Sequence, residues 1–182
     1  MPIDNPTAIA EEFNNFFVNI GPNLAKSIPH SAKCPLDFLK NSYCQSMFFR
    51  PTVPEEITDI IGNLKSSSSS GYDNIPIKIV KFCAIELAPI MAHINNQSLQ
   101  EGVFPDVLKV AKVVPIYKSG DKKSVGNYRP ISILTSFSKI SEKIVHSRLE
   151  NYLIVNTIIH KNQFGFRPKL STSMDGSVGN VE

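Results

Sequence analysis

The sequence predicts a mixed α/β chain, mostly helical, with one small antiparallel hairpin. Three observations carry that expectation. Apolar residues recur at helical spacing in several stretches, separated by Pro, Gly and Ser clusters. Two short β-rich runs, VAKVVPIY at 110–117 and RPISIL at 129–134, flank a basic, glycine-containing loop at 118–128. The composition, 42% hydrophobic and 19% charged over 182 residues, suits a packed domain better than a disordered tail or a coiled coil.

Residues 7–20 place Ile9, Phe13, Phe16, Phe17 and Ile20 on one helical stripe. Thr7 can cap this helix, Glu11 and Glu12 lie near its positive end, and Gly21-Pro22 is expected to stop it. Residues 21–51 are rich in Pro, Ser, Asn and Lys and read as a linker, with a short turn of helix or strand near Tyr43–Phe49. Thr52-Val53-Pro54-Glu55 resembles a capping box, and the stripe Ile57, Ile60, Ile61, Leu64 predicts a helix over 54–64. The serines 66–70 and the following Gly71–Asn74 cannot hold a helix and read as an exposed loop. The helical pattern returns through Ile79, Val80, Cys83, Leu87, Met91, Ile94 and Leu99. Pro89 is expected to divide it into helices near 76–83 and 86–101, and Gly102 to end the second.

Pro115 places the first β run at an edge or a bulge. Between Ser136 and Ile154, Phe137, Ile140, Ile144, Leu149, Tyr152 and Leu153 fall on one side of a helix. The other side carries Lys139, Lys143, His146 and Arg148. Gln163–Arg167 reads as a turn or a short strand, and 172–182 show no pattern.

Several function classes drop out. No apolar run is long enough to cross a membrane. The first residues lack the basic region and apolar core of a signal peptide. The 3 cysteines, Cys34, Cys44 and Cys83, contain no C-x-x-C pair, which argues against a disulfide scaffold or a zinc knuckle and fits a reduced, intracellular chain. The histidines, His30, His93, His146 and His160, are not spaced for a metal site. No phosphate-binding glycine loop, nucleophile elbow or Asp-Asp pair occurs.

The net charge of +3 conceals an asymmetry. Residues 1–108 carry 7 Lys and Arg against 11 Asp and Glu, net −4; residues 109–182 carry 12 against 5, net +7. The imbalance points to a C-terminal part that faces a polyanion; the plain alternative is a domain with unevenly spread surface charge. Within the basic part, Lys118 follows the first β run and Arg129 opens the second. On neighbouring strands they could clamp a triphosphate or a nucleic-acid backbone, Lys as a point charge and Arg as a planar fork. A solvated hairpin tip is the competing reading of the same spacing.

The order of short strings from 55 to 173 is more specific than any one of them. They include Gly71-Tyr72-Asp73-Asn74-Ile75-Pro76, Gly102-Val103-Phe104-Pro105, the run Lys109–Lys118, Asn127-Tyr128-Arg129-Pro130-Ile131-Ser132, and Gln163-Phe164-Gly165-Phe166-Arg167. In sequence and spacing they resemble the N-terminal, fingers part of a reverse transcriptase from a non-LTR retrotransposon of the jockey kind. Residues 10–28 resemble the stretch that precedes the polymerase domain in such elements.

The resemblance implies the fingers segment of a right-hand polymerase. The expected division is an N-terminal helix and linker at 1–51, a partial reverse transcriptase domain at 52–173, and a divergent tail at 174–182. It assigns Lys118 and Arg129 to the triphosphate of the incoming nucleotide. It assigns Gln163, Phe164, Gly165, Phe166 and Arg167 to the template. Asp73 takes a structural role: Gly71 permits a positive φ, Asp73 can cap the next helix, and Pro76 suits its first turn.

The complete enzymes act on an RNA template, a DNA primer and deoxynucleoside triphosphates, with Mg²⁺ held by palm aspartates. This chain diverges after Thr172 before any such carboxylates, and Asp175 lies in a Gly/Ser tail. The expectation is therefore an intracellular polymerase piece, away from membranes, with no catalytic residue and no cofactor of its own. The alternatives are a non-catalytic RNA-binding module and a helical interaction module.

Overall fold

The computed structural model describes residues 4–29, 34, 46–66, 69–160, 162–165, 167 and 170–171. The elements in order are α1 (Pro6–Ser27), α2 (Pro54–Asn63), α3 (Ile77–Phe82), α4 (Ala84–Glu101), α5 (Asp106–Lys109), β1 (Ala111–Tyr117), β2 (Tyr128–Leu134) and α6 (Ser136–Val155). The expected mixed, mostly helical architecture with one small antiparallel hairpin is present.

The core lies among four helices. Ile57, Ile61 and Leu64 of α2 and its end, Ile77 and Val80 of α3, Ala88, Met91 and Ala92 of α4, and Ile140 and Ile144 of α6 form one buried cluster. Each helix contributes residues three or four apart, so burial of one stripe per helix is the force that assembles them.

Helix α1 departs from expectation at both ends. Asn5, not Thr7, caps it: its Oδ1 accepts from the Thr7 amide at 2.9 Å, and Pro6 occupies the first position. The helix also runs through Gly21 and Pro22 to Ser27. A proline removes one amide bond, but none of this helix is buried, so water can serve the carbonyl left over. A second difference is the break between α3 and α4, which falls at Cys83, while the exposed Pro89 lies inside α4. The short α5, bracketed by Asp106 and Lys109 in a 2.7 Å ion pair, had no periodic signal to announce it. Gly102 ends α4 with φ at 67°, as expected. The Tyr43–Phe49 expectation lies partly outside the described residues.

The Gly71–Pro76 loop is ordered for a different reason than positive φ. A Cβ at Gly71 would lie 2.7 Å from the Thr135 nitrogen and 2.9 Å from the Leu134 carbonyl carbon. The glycine is needed because one backbone presses on another, and the positive φ belongs to Asn74. Asp73 closes the loop on itself, accepting from the Ile75 amide at 3.2 Å, and Pro76 rather than Asp73 stands at the N-cap of α3.

Further bonds tie the loop and α6 to α5, which leads into β1. Tyr72 donates its hydroxyl to the Val107 carbonyl at 2.9 Å, and the buried Ser138 donates to the Leu108 carbonyl at 2.8 Å. Thr135 caps α6, accepting from the Ser138 amide at 3.1 Å. Thr135→Val keeps the shape and removes the cap. We expect it to lower the unfolding free energy by about 1–2 kcal/mol, read as a lower urea midpoint at constant slope.

Candidate functional site

The two strands pair without a bulge, from Ala111 opposite Leu134 to Tyr117 opposite Tyr128. Beyond them Lys118 donates its amide to the Asn127 carbonyl at 2.8 Å. Hydrogen-bonded and non-bonded pairs alternate in such a ladder, so Pro115 and Pro130, directly opposite each other, occupy a non-bonded pair. Their missing amide hydrogens would have pointed out of the ribbon, which is why two prolines fit a two-stranded sheet.

The same alternation sorts the side chains. Ala111, Val113, Pro115 and Tyr117, with Tyr128, Pro130 and Ser132, belong to one face. Helix α1 lies over that face across an apolar cleft that includes Phe13, Phe17, Val113, Pro115 and Pro130. Phe13 meets Tyr128 edge-on at 4.9 Å between ring centres, and Tyr128 meets Tyr117 at 5.6 Å. The two tyrosines also hold the loop: Tyr117 donates to the Gly120 carbonyl at 2.6 Å and Tyr128 to the Lys122 carbonyl at 2.9 Å. Asn127 adds a bond from Nδ2 to the Asp121 carbonyl at 2.9 Å. Gly120, with φ at 93°, makes the turn this loop requires. The basic loop is thus a tethered turn, built from one face of the ribbon.

The opposite face carries Lys112, Val114, Ile116 and Lys118 on one strand and Arg129, Ile131 and Ile133 on the other. Arg129 stands opposite Ile116, and Lys118, one residue past the end of β1, continues that face through its backbone bond to Asn127. The two cations are diagonal neighbours, a relation that puts their Cβ atoms about 7–8 Å apart or less. Both are exposed, and Lys112 extends the same row towards the base of the ribbon.

The other sequence candidates follow α6. Gln163 donates its amide to the His160 carbonyl at 2.9 Å and its Nε2 to the Gly165 carbonyl at 2.9 Å, so the segment is a turn. Phe164, Gly165 and Arg167 are half-buried, and Phe166 lies outside the described residues.

One polar site escaped the sequence reading. Arg148, expected on the solvated side of α6, falls one turn after Ile140 and Ile144 on the buried stripe, with a side chain only 7% exposed. Its guanidinium grips both oxygens of Glu56 on α2, with Nη2 to Oε2 at 2.7 Å, and its Nε donates to the Arg50 carbonyl at 3.2 Å. Thr52 gives its hydroxyl to the same carboxylate at 2.7 Å, so it partners Glu56 rather than Glu55 of the supposed capping box. Asn96 of α4 completes the knot through two bonds with the Thr52 backbone, at 2.7 and 2.9 Å. The Arg148 hydrogen bond holds the Glu56 carboxyl well below its usual range, at about 2, against the opposing effect of burial, with help from Thr52. Leu149, expected in the apolar stripe, is exposed instead.

Among the described residues, no group of three or more His, Cys, Asp or Glu could hold a metal ion. Glu55 and Asp59 stand one turn apart on the exposed side of α2, a pair rather than a set of three, and Glu56 is engaged by Arg148. No helix among the described residues is long and apolar enough to cross a membrane.

Residues 120–180 match the family model of the reverse transcriptase (RNA-dependent DNA polymerase). The chain is 34% identical over 138 residues, 75% of its length, to the probable RNA-directed DNA polymerase from transposon BS of Drosophila melanogaster. It is 30% identical over 132 residues, 72% of its length, to the RNA-directed DNA polymerase from mobile element jockey of the same species. A Pol polyprotein from the type-1 retrotransposable element R1 of Bradysia coprophila is 30% identical over 68% of the chain. The aligned part spans only 15%, 14% and 13% of these relatives, respectively.

Proposed function

The chain belongs with the reverse transcriptases of jockey-type non-LTR retrotransposons, and from that kinship we propose that the open face of its β1–β2 hairpin binds the triphosphate of an incoming deoxynucleotide. Lys118 and Arg129 are the two residues assigned to it. The observation that carries the reading is the strand register, which makes them diagonal neighbours on the face that α1 leaves free. A triphosphate presents several anionic oxygens, and a point-charge ammonium beside a planar guanidinium fork can engage two phosphates at once. The aromatic contacts on the other face support this role, because they fix the ribbon without using the cations. Gln163, Phe164, Gly165, Phe166 and Arg167 are assigned to the template strand, with the positive balance of residues 109–182 favouring phosphate contact.

The chain alone is not expected to extend a primer. In-line transfer of a nucleotidyl group needs carboxylates that hold two metal ions, and the described residues offer no such set. Purified protein free of contaminating polymerase should therefore incorporate no nucleotide on a primed RNA template. Template-dependent incorporation would overturn that part of the reading.

Binding tests the assignment itself. In equilibrium dialysis with a labelled deoxynucleoside triphosphate, the double change Lys118→Ala and Arg129→Ala should weaken binding at least about tenfold, as loss of two charge-assisted contacts implies. The control double change Lys26→Ala and Lys78→Ala should leave it unaltered. Equal affinity of both double variants would reduce the pair to ordinary surface charge.

A further inference from the structure

The cleft beside the C-terminal half of α6 has no part in the hairpin reading. It encloses about 510 Å³ and is lined by Phe48, Arg50, Arg148, Asn151, Tyr152 and Asn156, among others. In its floor the Arg148 charge is cancelled by Glu56. Arg50 adds a further cation, near enough to help keep the Glu56 carboxylate ionised. The cleft therefore carries an excess positive charge.

Its apolar lining is aromatic. Phe48 is 86% exposed, an unusual state for a large ring, and Tyr152 borders the same space. Asn156 gives its Nδ2 to the Tyr152 carbonyl at 2.8 Å, leaving Oδ1 as an acceptor, and Asn151 is exposed at the rim. A ring surface, a cation and side-chain amides in a space of this size are the equipment that takes up one nucleotide of a single strand. Such a set can stack a base, meet a phosphate with the guanidinium and offer amides to an edge of the base. A small neutral ligand would leave the Arg50 charge unused.

The place of the cleft gives the ligand its length. Helix α6 leaves the base of the hairpin at Thr135, and the cleft residues on it begin at Ser147 and end at Asn156. At 1.5 Å per residue, the cleft is centred roughly 25 Å along the helix from that base. A nucleic acid that touched both sites would need several nucleotides, within the roughly 4–16 that single-strand sites engage.

We propose that this cleft is a second contact for single-stranded RNA, taking one nucleotide with its base against Phe48 and its phosphate on Arg50. The inference rests on the reading of the chain as a nucleic-acid-handling polymerase part. It is independent of the hairpin cations.

The test uses the full chain, fluorescein-labelled oligouridylate of 4 and of 20 nucleotides, and fluorescence anisotropy at fixed salt. Phe48→Ala and Arg50→Ala should each weaken binding of the 20-mer by about fivefold or more. The thermal midpoint should move little, because both side chains are exposed, the Arg50 carbonyl that Arg148 holds is kept, and the charge of Arg50 is the smallest of the effects on Glu56. Arg50→Lys should recover part of the loss, and the 4-mer should bind more weakly than the 20-mer.

If the cleft variants bind the 20-mer like the wild type while the Lys118/Arg129 double variant loses the nucleotide in dialysis, the cleft inference falls and the hairpin reading stands. If the cleft variants lose RNA while the hairpin double change affects neither RNA nor nucleotide, the cleft stands and the hairpin reading falls. A wild-type chain that binds no 20-mer overturns the cleft inference and leaves the hairpin reading to its own nucleotide dialysis.

Discussion

Replacing Arg148 by methionine should lower the unfolding free energy by about 3 kcal/mol, the cost of leaving a partly buried carboxylate without its partner. Glu56 loses both guanidinium contacts in that variant, and the Arg50 carbonyl loses its donor. The segment entering α2 is then held to α4 by Asn96 alone. Urea unfolding at neutral pH reads the change as a lower midpoint. A loss below about 0.5 kcal/mol would show that the pair behaves like an exposed one.

The same pair sets an acid limb to the stability. The Glu56 carboxyl titrates at about 2 in the folded chain against 4.5 for the ordinary group. Its folded value is depressed, so the unfolded chain takes up the proton first as pH falls. The stabilisation is fully present above about pH 4.5 and is lost progressively as pH drops towards 2. It amounts to about 2–3 kcal/mol, since each unit is about 1.4 kcal/mol and the carboxylate keeps some contact with water. Glu56→Gln should be less stable than the parent at pH 7 and close to it at pH 2.5. A constant difference between the two across that range would place the effect elsewhere.

Gly71→Val is the second large loss. Any Cβ there falls 2.7–2.9 Å from backbone atoms of Leu134 and Thr135, which are not the far ends of flexible side chains and cannot step aside. The loop must lift off the β2–α6 junction, and the Tyr72 bond to Val107 moves with it. The expected cost is at least about 2 kcal/mol, or roughly 4–8 °C in the thermal midpoint for a chain of this size. Gly71→Ala should lose less, because it adds one carbon in place of three. A valine variant that melts with the parent would mean that the two backbones do not meet.

The contrast between Arg148 and the hairpin shows what the sequence carried and what it did not. Strand alternation and turn chemistry are local, so both β runs and the loop between them were legible to within one residue. The helices of the core were legible for the same reason, since each has its own apolar stripe. Arg148 occupies a stripe position, yet its chemistry says surface. Only the partner on α2, 92 residues away, makes it a buried residue. Gly71 was legible as a special position, but its reason is the approach of a strand end 64 residues later, which no local pattern contains. The run of α1 through Pro22 follows from exposure, a tertiary property. Lys118 and Arg129 were legible as a pair of cations near a turn, and the register adds the face they share.

Backbone amide shifts in an ¹⁵N correlation spectrum, recorded while thymidine triphosphate is added to the full chain, test that shared face most directly. The largest shifts are expected within Lys112–Lys118 and Asn127–Ile133, with α4 unmoved, and they should vanish in the Lys118/Arg129 double variant. Shifts confined to other elements, or none at saturating nucleotide, would contradict it.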